Sequence, residues 1–166
     1  MFVRTAGERD IAAVRDLLVE TWHATYDAIH GAARVTEITD DWHSIASLNV
    51  RLAKPYSEFL VADDGKSIGG MAFATSDADG KSVKLHQLYV RPHFQGRGIG
   101  GMLLDEIIES FHDAERIRLE VEEANGPAIS FYVAQGFAEI GRTANCGADQ
   151  SGIPALIFER RLGEAD

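Results

Sequence analysis

The spacing of apolar residues near the start of the chain predicts one long helix. Ile11, Val14, Leu18 and Trp22 follow one another at steps of three or four residues, which places them on a single helix face. The stretch from Glu8 to Ala24 is therefore predicted to be the first helix.

A second helix is predicted between Thr39 and Leu52. Trp42, Ile45 and Leu48 again stand at helical steps within this stretch. It ends before Pro55, because proline has no N–H to donate to the helix and its ring obstructs the preceding turn.

Beyond Pro55 the apolar segments become short, as is typical of strands. The turn sequences Asp64-Gly65 and Asp79-Gly80 separate three of them, which indicates antiparallel hairpins. Helical spacing returns after residue 96, and Asn125 followed by Pro127 is typical of a helix start. The predicted strands are Phe2–Thr5, Glu58–Ala62, Ile68–Thr75, Val83–Val90, Arg116–Glu122, Phe137–Thr143 and Pro154–Arg161. The predicted helices are Glu8–Ala24, Thr39–Leu52, Arg97–His112 and Asn125–Gln135.

These elements predict an α/β (α+β) fold, with a mixed, mostly antiparallel sheet of about seven strands flanked by four helices. The chain has 166 residues, which is the size of one domain, so we expect a single domain over residues 1–166. Surface scaling allows roughly two-thirds of its surface to be buried, enough for a core without a metal or a disulfide.

Charge and cysteine content exclude several classes of function. The chain carries 16 Lys and Arg against 26 Asp and Glu, a net charge of -10, which disfavours binding to nucleic acid or to anionic membrane surfaces. Its one cysteine, Cys146, has no internal disulfide partner. No apolar run approaches a membrane span, and residues 1–10 lack the apolar core of a signal peptide, so we expect a cytoplasmic protein. The six histidines show no paired spacing, so no metal is expected.

The most informative stretch is Leu88–Leu104, where four glycines stand at the start of a predicted helix. Glycine lets the backbone approach a ligand closely, and the first N–H groups of a helix have no partner within it. Together with the positive end of the helix dipole they form an anion site. From Lys81 to Arg97 there are also four positive residues and no acid, which favours a phosphate-bearing ligand.

The glycines fit two known motifs that bind a phosphate-bearing ligand, and the first is the dinucleotide pattern. The glycines match the dinucleotide pattern G-x-G-x-x-G, and Glu120 lies near the position of an acidic ribose ligand. A dinucleotide fold, however, places this pattern in a tight parallel βαβ unit, whereas an antiparallel meander precedes it here. The P-loop and protein-kinase motifs are absent from the sequence.

The segment Gln95-Gly96-Arg97-Gly98-Ile99-Gly100 resembles the Q/R-x-x-G-x-G/A signature of the GNAT superfamily of acetyl-CoA-dependent N-acetyltransferases. A second block is similar to that family's downstream coenzyme motif, N-x-x-A-x-x-F-Y-x-x-x-G-F, between Asn125 and Phe137. The resemblance covers nearly the whole chain. It implies a GNAT-like fold and an acyltransferase that uses acetyl-CoA as cosubstrate.

The resemblance also implies roles for individual residues. Leu88 and Val90 would pair with the pantetheine arm through their backbone, as an added strand does. The amides of Gly96–Gly101 would hold the pyrophosphate, and Asn125 would bond the pantetheine. The residues assigned to the coenzyme are Leu88, Tyr89, Val90, Gln95, Gly96, Arg97, Gly98, Ile99, Gly100, Gly101, Asn125 and Tyr132.

Acetyl transfer from a thioester to an amine needs a neutral amine, a donor to the oxyanion and help for the leaving thiolate. The resemblance implies that Tyr132 lies near the thioester sulfur as the general acid, where it could also stabilise the thiolate by a hydrogen bond. It assigns the role of base to Glu120. His86 or water are the alternatives to Glu120 as the base. Glu122 shares the strand face of Glu120, and the alternative interpretation of both glutamates is that they are solvated charges on a half-exposed strand. The alternative interpretation of His86 is polar packing on the strand before the glycine turn. Leu88 N–H is a candidate donor to the thioester carbonyl. Cys146 is interpreted as a loop residue that takes no part in the reaction.

The acceptor is the part that the sequence reveals least. The family analogy assigns specificity to the segments Trp22–His43 and Ala144–Ile153, and the acceptor is expected to be a primary amine of a small molecule or a peptide. A homodimer is expected by the same analogy alone. A non-catalytic acyl-CoA-binding module and a dinucleotide-dependent oxidoreductase remain as alternative functions.

Overall fold

The computed structural model describes residues 1–146 and 151–163. In that part of the chain it has seven strands in one sheet and five α-helices, which confirms the predicted mixed, mostly antiparallel fold. The strands are β1 (Phe2–Thr5), β2 (Ser57–Asp63), β3 (Ile68–Ser76), β4 (Ser82–Val90), β5 (Arg116–Val121), β6 (Ala138–Thr143) and β7 (Ala155–Arg161). The helices are α1 (Ile11–His30), α2 (Ala32–Trp42), α3 (Ile45–Leu52), α4 (Ile99–Ser110) and α5 (Gly126–Ala134).

The sheet has the strand order β1-β2-β3-β4-β5-β7-β6. Strand β1 pairs antiparallel with β2, and β7 pairs antiparallel with both β5 and β6. Strands β4 and β5 pair in parallel, from Ser82 opposite Arg116 to Leu85 opposite Leu119. Since β4 continues to Val90, its last residues lie beyond this parallel register.

The described residues divide into two compact units. The first comprises Met1–Ala74 and Gln87–Ser110, and the second comprises Thr75–His86 and the described residues from Phe111 onward. In the first unit, α1 packs its apolar face on β2 and β3. That core contains Ile11, Val14, Leu17, Leu18, Leu48, Phe59, Val61, Met71 and Phe73. In the second unit the buried side chains include Val83, Leu85, Ile117, Leu119, Val121, Tyr132, Phe137, Leu156 and Phe158.

The first half of the chain holds three helices where two were predicted. Helix α1 runs past Ala24 to His30 and ends at Gly31, whose φ of 85° suits a residue without Cβ. The single helix predicted over Thr39–Leu52 is two helices, because Ser44 starts a new one. Its hydroxyl accepts a hydrogen bond from Ser47 N at 3.1 Å and so caps α3. Within the described ranges, none of the helices combines the length and the apolarity needed to cross a bilayer.

Helix α4 packs on β3 at a pair of glycines. A Cβ added at Gly70 would lie 3.0 Å from a Leu103 methyl carbon and 3.1 Å from the carbonyl oxygen of Tyr89. At Gly69 the same addition would lie 3.0 Å from the ring of Phe94. The absence of side chains here lets the start of α4 and the segment before it approach the sheet closely.

Two arginines close the C-terminal end of α2 in the first unit. Arg15 donates to the carbonyl oxygens of Thr39 and His43, at 2.5 and 3.0 Å, and Arg51 donates to that of Trp42. Arg51 also donates to Nδ1 of His43 at 3.2 Å. His43 is 1% exposed, and its burial, with the positive charges of Arg51 and Arg15, lowers its pKa to about 3. The ring is therefore neutral at physiological pH.

The close approach at Gly70 predicts a stability loss on adding one methyl group. We expect Gly70→Ala to lower the free energy of unfolding by about 1–3 kcal/mol, because the backbone oxygen of Tyr89 and the side chain of Leu103 must move. Urea unfolding measures the change. Gly126→Ala is the matched control, since nothing lies within 4 Å of a Cβ there. Equal stability of both variants and the parent chain would contradict the packing described.

The buried His43 predicts a loss of stability in acid. Its pKa is about 6.5 when unfolded and about 3 when folded, so its contribution is complete above pH 6.5 and is lost as the pH falls towards 3. At pH 5 this amounts to about 2 kcal/mol, from 1.36 kcal/mol per pKa unit. His43→Gln should reduce the difference between urea unfolding at pH 7 and pH 5 by this amount, whereas His112→Gln, at an exposed histidine, should not. An unchanged pH dependence in His43→Gln would refute the buried neutral ring.

Candidate active site

The end of β4 is held in place by Arg91, the residue that follows the strand. Its backbone N–H donates to Gly69 O and its Nε to Ile68 O, both at 2.8 Å. Its Nη1 reaches Oε2 of Glu20 on α1 at 2.5 Å, in a half-buried ion pair. These contacts fix where the chain leaves β4 and enters the glycine-rich turn.

The turn itself depends on glycine at two positions. Gly96 and Gly98 have φ values of 78° and 80°, a region that L side chains rarely adopt. Nothing lies within 4 Å of a Cβ built on either residue, so the space in front of the turn is open. Gln95 Nε2 donates to Val90 O at 3.0 Å and closes the turn against the strand end.

Helix α4 begins directly after these glycines. The first hydrogen bond that closes on this turn runs from Met102 N to Gly98 O at 3.1 Å, so the N–H groups of residues 99–101 precede the helical ladder. Ile99 is buried against the sheet, and no acidic residue stands in the first helical turn. N–H groups that precede the helical ladder, together with the positive end of a helix dipole, are features that favour an anion at this position.

The positive charge around the turn is smaller than the sequence window suggests. Arg91 is paired with Glu20, while Lys81 and Lys84 lie 3.6 and 3.5 Å from glutamates of the second unit. Arg97 alone of the four cations stands in the turn, with its guanidinium carbon 5.2 Å from the ring centre of Phe94. The sequence window could not show this neutralisation, because the paired acids come from other segments of the chain.

The second unit carries the residues assigned to the thioester end of the coenzyme. Asn125 caps α5, its side-chain oxygen accepting from Ala128 N at 3.3 Å, as the sequence predicted. Tyr132 lies on α5 and is 8% exposed, with its ring 5.5 Å from that of Phe137. The ring of Tyr132 is therefore fixed by packing.

Glu120, which was assigned the role of base, and its neighbour Glu122 differ in their surroundings. The Glu120 side chain is 19% exposed on β5, with Oε1 3.5 Å from Nζ of Lys84. Glu122 follows the strand and is 6% exposed, so it is not a solvated surface charge. Both acids act on Cys146, whose pKa rises to about 12 through burial and through their negative charges. Its thiol stays protonated at neutral pH and is a poor nucleophile.

His86, the other candidate base, lies on β4 within the second unit. Its Nε2 is 2.8 Å from the hydroxyl of Thr75 on β3. The ring is thus engaged with a neighbouring strand, which matches the interpretation of His86 as polar packing.

An aromatic cluster in the first unit surrounds Trp22, which begins the segment Trp22–His43 that the family analogy assigned to acceptor specificity. Its ring centre lies 4.5 Å from Tyr26, 5.7 Å from Trp42, 5.5 Å from His43 and 6.4 Å from Tyr89. Residue type did not indicate that His43 would be buried here, because histidine is intermediate between the mostly buried and the mostly exposed residue types.

The other segment assigned to specificity, Ala144–Ile153, is described only in part, because residues 147–150 lie outside the described ranges. Beside it, the ends of β6 and β7 line an open groove of about 330 Å³. Its lining includes Leu156 and Pro154, and the exposed ion pair of Glu123 with Arg142, at 3.1 Å, stands at the same place. Across the part of the chain that the structure describes, no group of three or more His, Cys, Asp or Glu is arranged to hold a metal ion.

Comparisons with known proteins agree with this geometry. A solved structure of the PaiA N-acetyltransferase from Thermoplasma acidophilum, in complex with coenzyme A, has the same fold, with a TM-score of 0.85 over 97% of this chain and 98% of its own, at 22% identity. A putative [ribosomal protein bS18]-alanine N-acetyltransferase from Bacillus subtilis is 28% identical over 92% of this chain and 97% of its own length.

The N-alpha-acetyltransferase RimI of Mycobacterium tuberculosis is 32% identical over 63% of this chain and 66% of its own length. The profile of the Acetyltransferase (GNAT) family matches residues 11–137, which include the glycine turn, Glu120, Asn125 and Tyr132. The chain therefore belongs to the GNAT family of acetyltransferases and is an acyltransferase.

Proposed function

We propose that this chain transfers the acetyl group of acetyl-CoA directly to a primary amine of a small molecule or a peptide. The observation that carries the proposal is the turn before α4, where the left-handed Gly96 and Gly98 have open space at their Cβ positions and precede N–H groups that lie before the helical ladder. A pyrophosphate fits such a turn, because its oxygens accept hydrogen bonds from several amides at once.

Residues on each side of the turn extend the coenzyme site in this proposal. The amides of Gly96–Gly101 hold the pyrophosphate, with Arg97 as the nearby cation. Leu88, Tyr89 and Val90 follow the part of β4 that pairs with β5, Ser82–Leu85, and their backbone pairs with the pantetheine arm. Asn125 adds a side-chain amide.

Acetyl-CoA supplies an activated acetyl group, and the chain positions it and manages protons. Leu88 N–H donates to the developing oxyanion, and Tyr132 stabilises the departing thiolate by a hydrogen bond. Packing against Phe137 supports this role, because a fixed ring loses little freedom when it bonds the sulfur. Glu120 accepts the proton of the amine, directly or through water.

Direct transfer is favoured over an acetyl-enzyme route. Cys146 is the one cysteine of the chain, and its raised pKa, about 12, keeps it protonated at neutral pH. A thiol in that state does not accept an acetyl group readily, because the thiolate is the nucleophile. The amine therefore attacks the thioester itself.

Membership of the GNAT family argues against the dinucleotide-dependent oxidoreductase as an alternative function. The relatives from Bacillus subtilis and Mycobacterium tuberculosis favour a peptide N-terminus as acceptor, since both are named as acetyltransferases of α-amino groups or of alanine. A small amine is the second candidate. A homodimer remains a prediction from family analogy.

We expect Gly98→Asp to raise the dissociation constant for acetyl-CoA by about 100-fold or more. The new carboxylate would stand among the amides that bind the pyrophosphate and repel it. Isothermal titration calorimetry with acetyl-CoA, CoA and NAD measures the effect. Gly65→Asp is the matched control, because Gly65 also has a positive φ, 91°, and open space, but lies in the β2–β3 turn. Undiminished affinity in Gly98→Asp would contradict the site, and binding of NAD alone would contradict the proposed function.

Replacement of the proposed base has a distinct effect on the pH profile. We expect Glu120→Gln to lower kcat/KM at neutral pH by about 100-fold and to change the shape of the pH profile, because the amide accepts no proton. Thiol release from acetyl-CoA measures the rate. Glu115→Gln is the control, since Glu115 faces Lys81 at 3.6 Å much as Glu120 faces Lys84 at 3.5 Å. A wild-type profile in Glu120→Gln would assign deprotonation to water.

A further inference from the structure

Three buried polar atoms of the first unit have no hydrogen-bond partner among the described residues: Nε1 of Trp22, Nε2 of His43 and Oε1 of Gln87. Trp22 is 4% exposed and His43 is 1% exposed. Leaving such an atom unbonded is unfavourable, because the atom has lost its hydrogen bonds to water, so three in one compact unit call for an explanation.

The hydrogen bond from Arg51 decides what His43 offers. An arginine N–H only donates, so Nδ1 of His43 must accept at 3.2 Å and the proton of the neutral ring stands on Nε2. Nε2 is therefore a donor. The indole N–H of Trp22 is a donor as well, and the two ring centres are 5.5 Å apart.

Gln87 offers a hydrogen-bond acceptor, whereas Trp22 and His43 offer donors. Side chains alternate along a strand, so Gln87 lies on the same face of β4 as Tyr89. The ring of Tyr89 is 6.4 Å from that of Trp22 and packs against the core under α1. An acceptor atom, Oε1 of Gln87, therefore faces the same side of the sheet as the two donors.

Two donors and one acceptor favour some classes of amine over others as the acceptor substrate. A ligand that pairs with all three atoms brings an N–H donor for Gln87 and an oxygen acceptor for Trp22 and His43. The ammonium groups of a polyamine only donate, and the lone pair of its neutral, reacting nitrogen is used in the attack on the thioester, so both ring N–H groups stay unbonded. An amine with a carbonyl or carboxylate one carbon away, as in an α-amino acid amide or a peptide N-terminus, has both functions.

We infer that Trp22, His43 and Gln87 form a recognition site for an acceptor that carries a carbonyl or carboxylate group next to its amine. The inference rests on the proposed function, because it names the class of acceptor for the same transfer. Trp22 and His43 bond the carbonyl oxygen, Gln87 bonds the amine, and Arg51 acts as a positioning residue that sets the tautomer of His43. Because the three atoms are buried, the acceptor reaches them by displacing neighbouring side chains.

Two matched acceptors test the inference. L-alaninamide and 2-aminopropane differ in the carbonyl group, and each rate is corrected for the fraction of neutral amine. We expect kcat/KM for alaninamide to exceed that for 2-aminopropane by about 100-fold, because a site built to bond a polar group rejects an analogue without it. Trp22→Phe should reduce this ratio about tenfold. Tyr56→Phe, which removes a polar atom from an exposed ring outside the cluster, should leave it unchanged.

A second measurement separates this inference from the proposed function. The two tryptophans of the chain, Trp22 and Trp42, both stand in the cluster, so their fluorescence reports on binding there whether or not acetyl transfer occurs. A response to alaninamide and none to 2-aminopropane supports the site. The recognition site would be refuted if alaninamide and 2-aminopropane gave equal rates and equal fluorescence responses, or if spermidine matched alaninamide in both. Acetyl transfer itself would be unaffected by that result. Absence of thiol release with every amine would instead refute the proposed function, and the fluorescence result would still decide the site.

Discussion

The close approach of α4 to β3 at Gly70 is the constraint on which the first unit depends. With Leu103 at 3.0 Å and the backbone oxygen of Tyr89 at 3.1 Å from the position of a Cβ, the start of the helix has almost no freedom relative to the strand. Arg91 adds a polar tether by bonding Gly69 O and Ile68 O. The glycine turn between them is consequently held at both ends, so its amides are organised before any ligand binds. Preorganised amides bind an anion more tightly than amides that must first be ordered.

Much of the fold was predictable because the responsible signals are local. Turn pairs such as Asp64-Gly65 and alternating strands place all seven strands within one or two residues of their observed bounds. The number of helices was harder to predict. The hydroxyl of Ser44 and the positive φ of Gly31 break the first half of the chain into three helices, and both effects depend on backbone geometry that apolar spacing does not encode.

In the candidate site, too, local features were predictable from the sequence and contacts between distant segments were not. The glycine turn was readable because only glycine adopts its φ values without strain, so the residue type itself carries the signal. The neutralisation of Lys84 by Glu120, and the contact of Arg15 with His43, depend on segments distant in sequence. The acceptor chemistry inferred for Trp22, His43 and Gln87 follows from unpaired buried atoms, which no single-sequence pattern reveals.

Mass spectrometry of one reaction mixture distinguishes direct transfer from acetyl-CoA to an amine from transfer through an acetylated enzyme. The chain is incubated with isotopically labelled acetyl-CoA, first without and then with alaninamide, and the masses of the protein and of the amine are followed together. The account predicts an unmodified protein in both samples and one labelled acetylated amine for each CoA thiol released. A labelled acetyl group on the protein that passes to the amine on addition, or thiol release without acetylated amine, would contradict it.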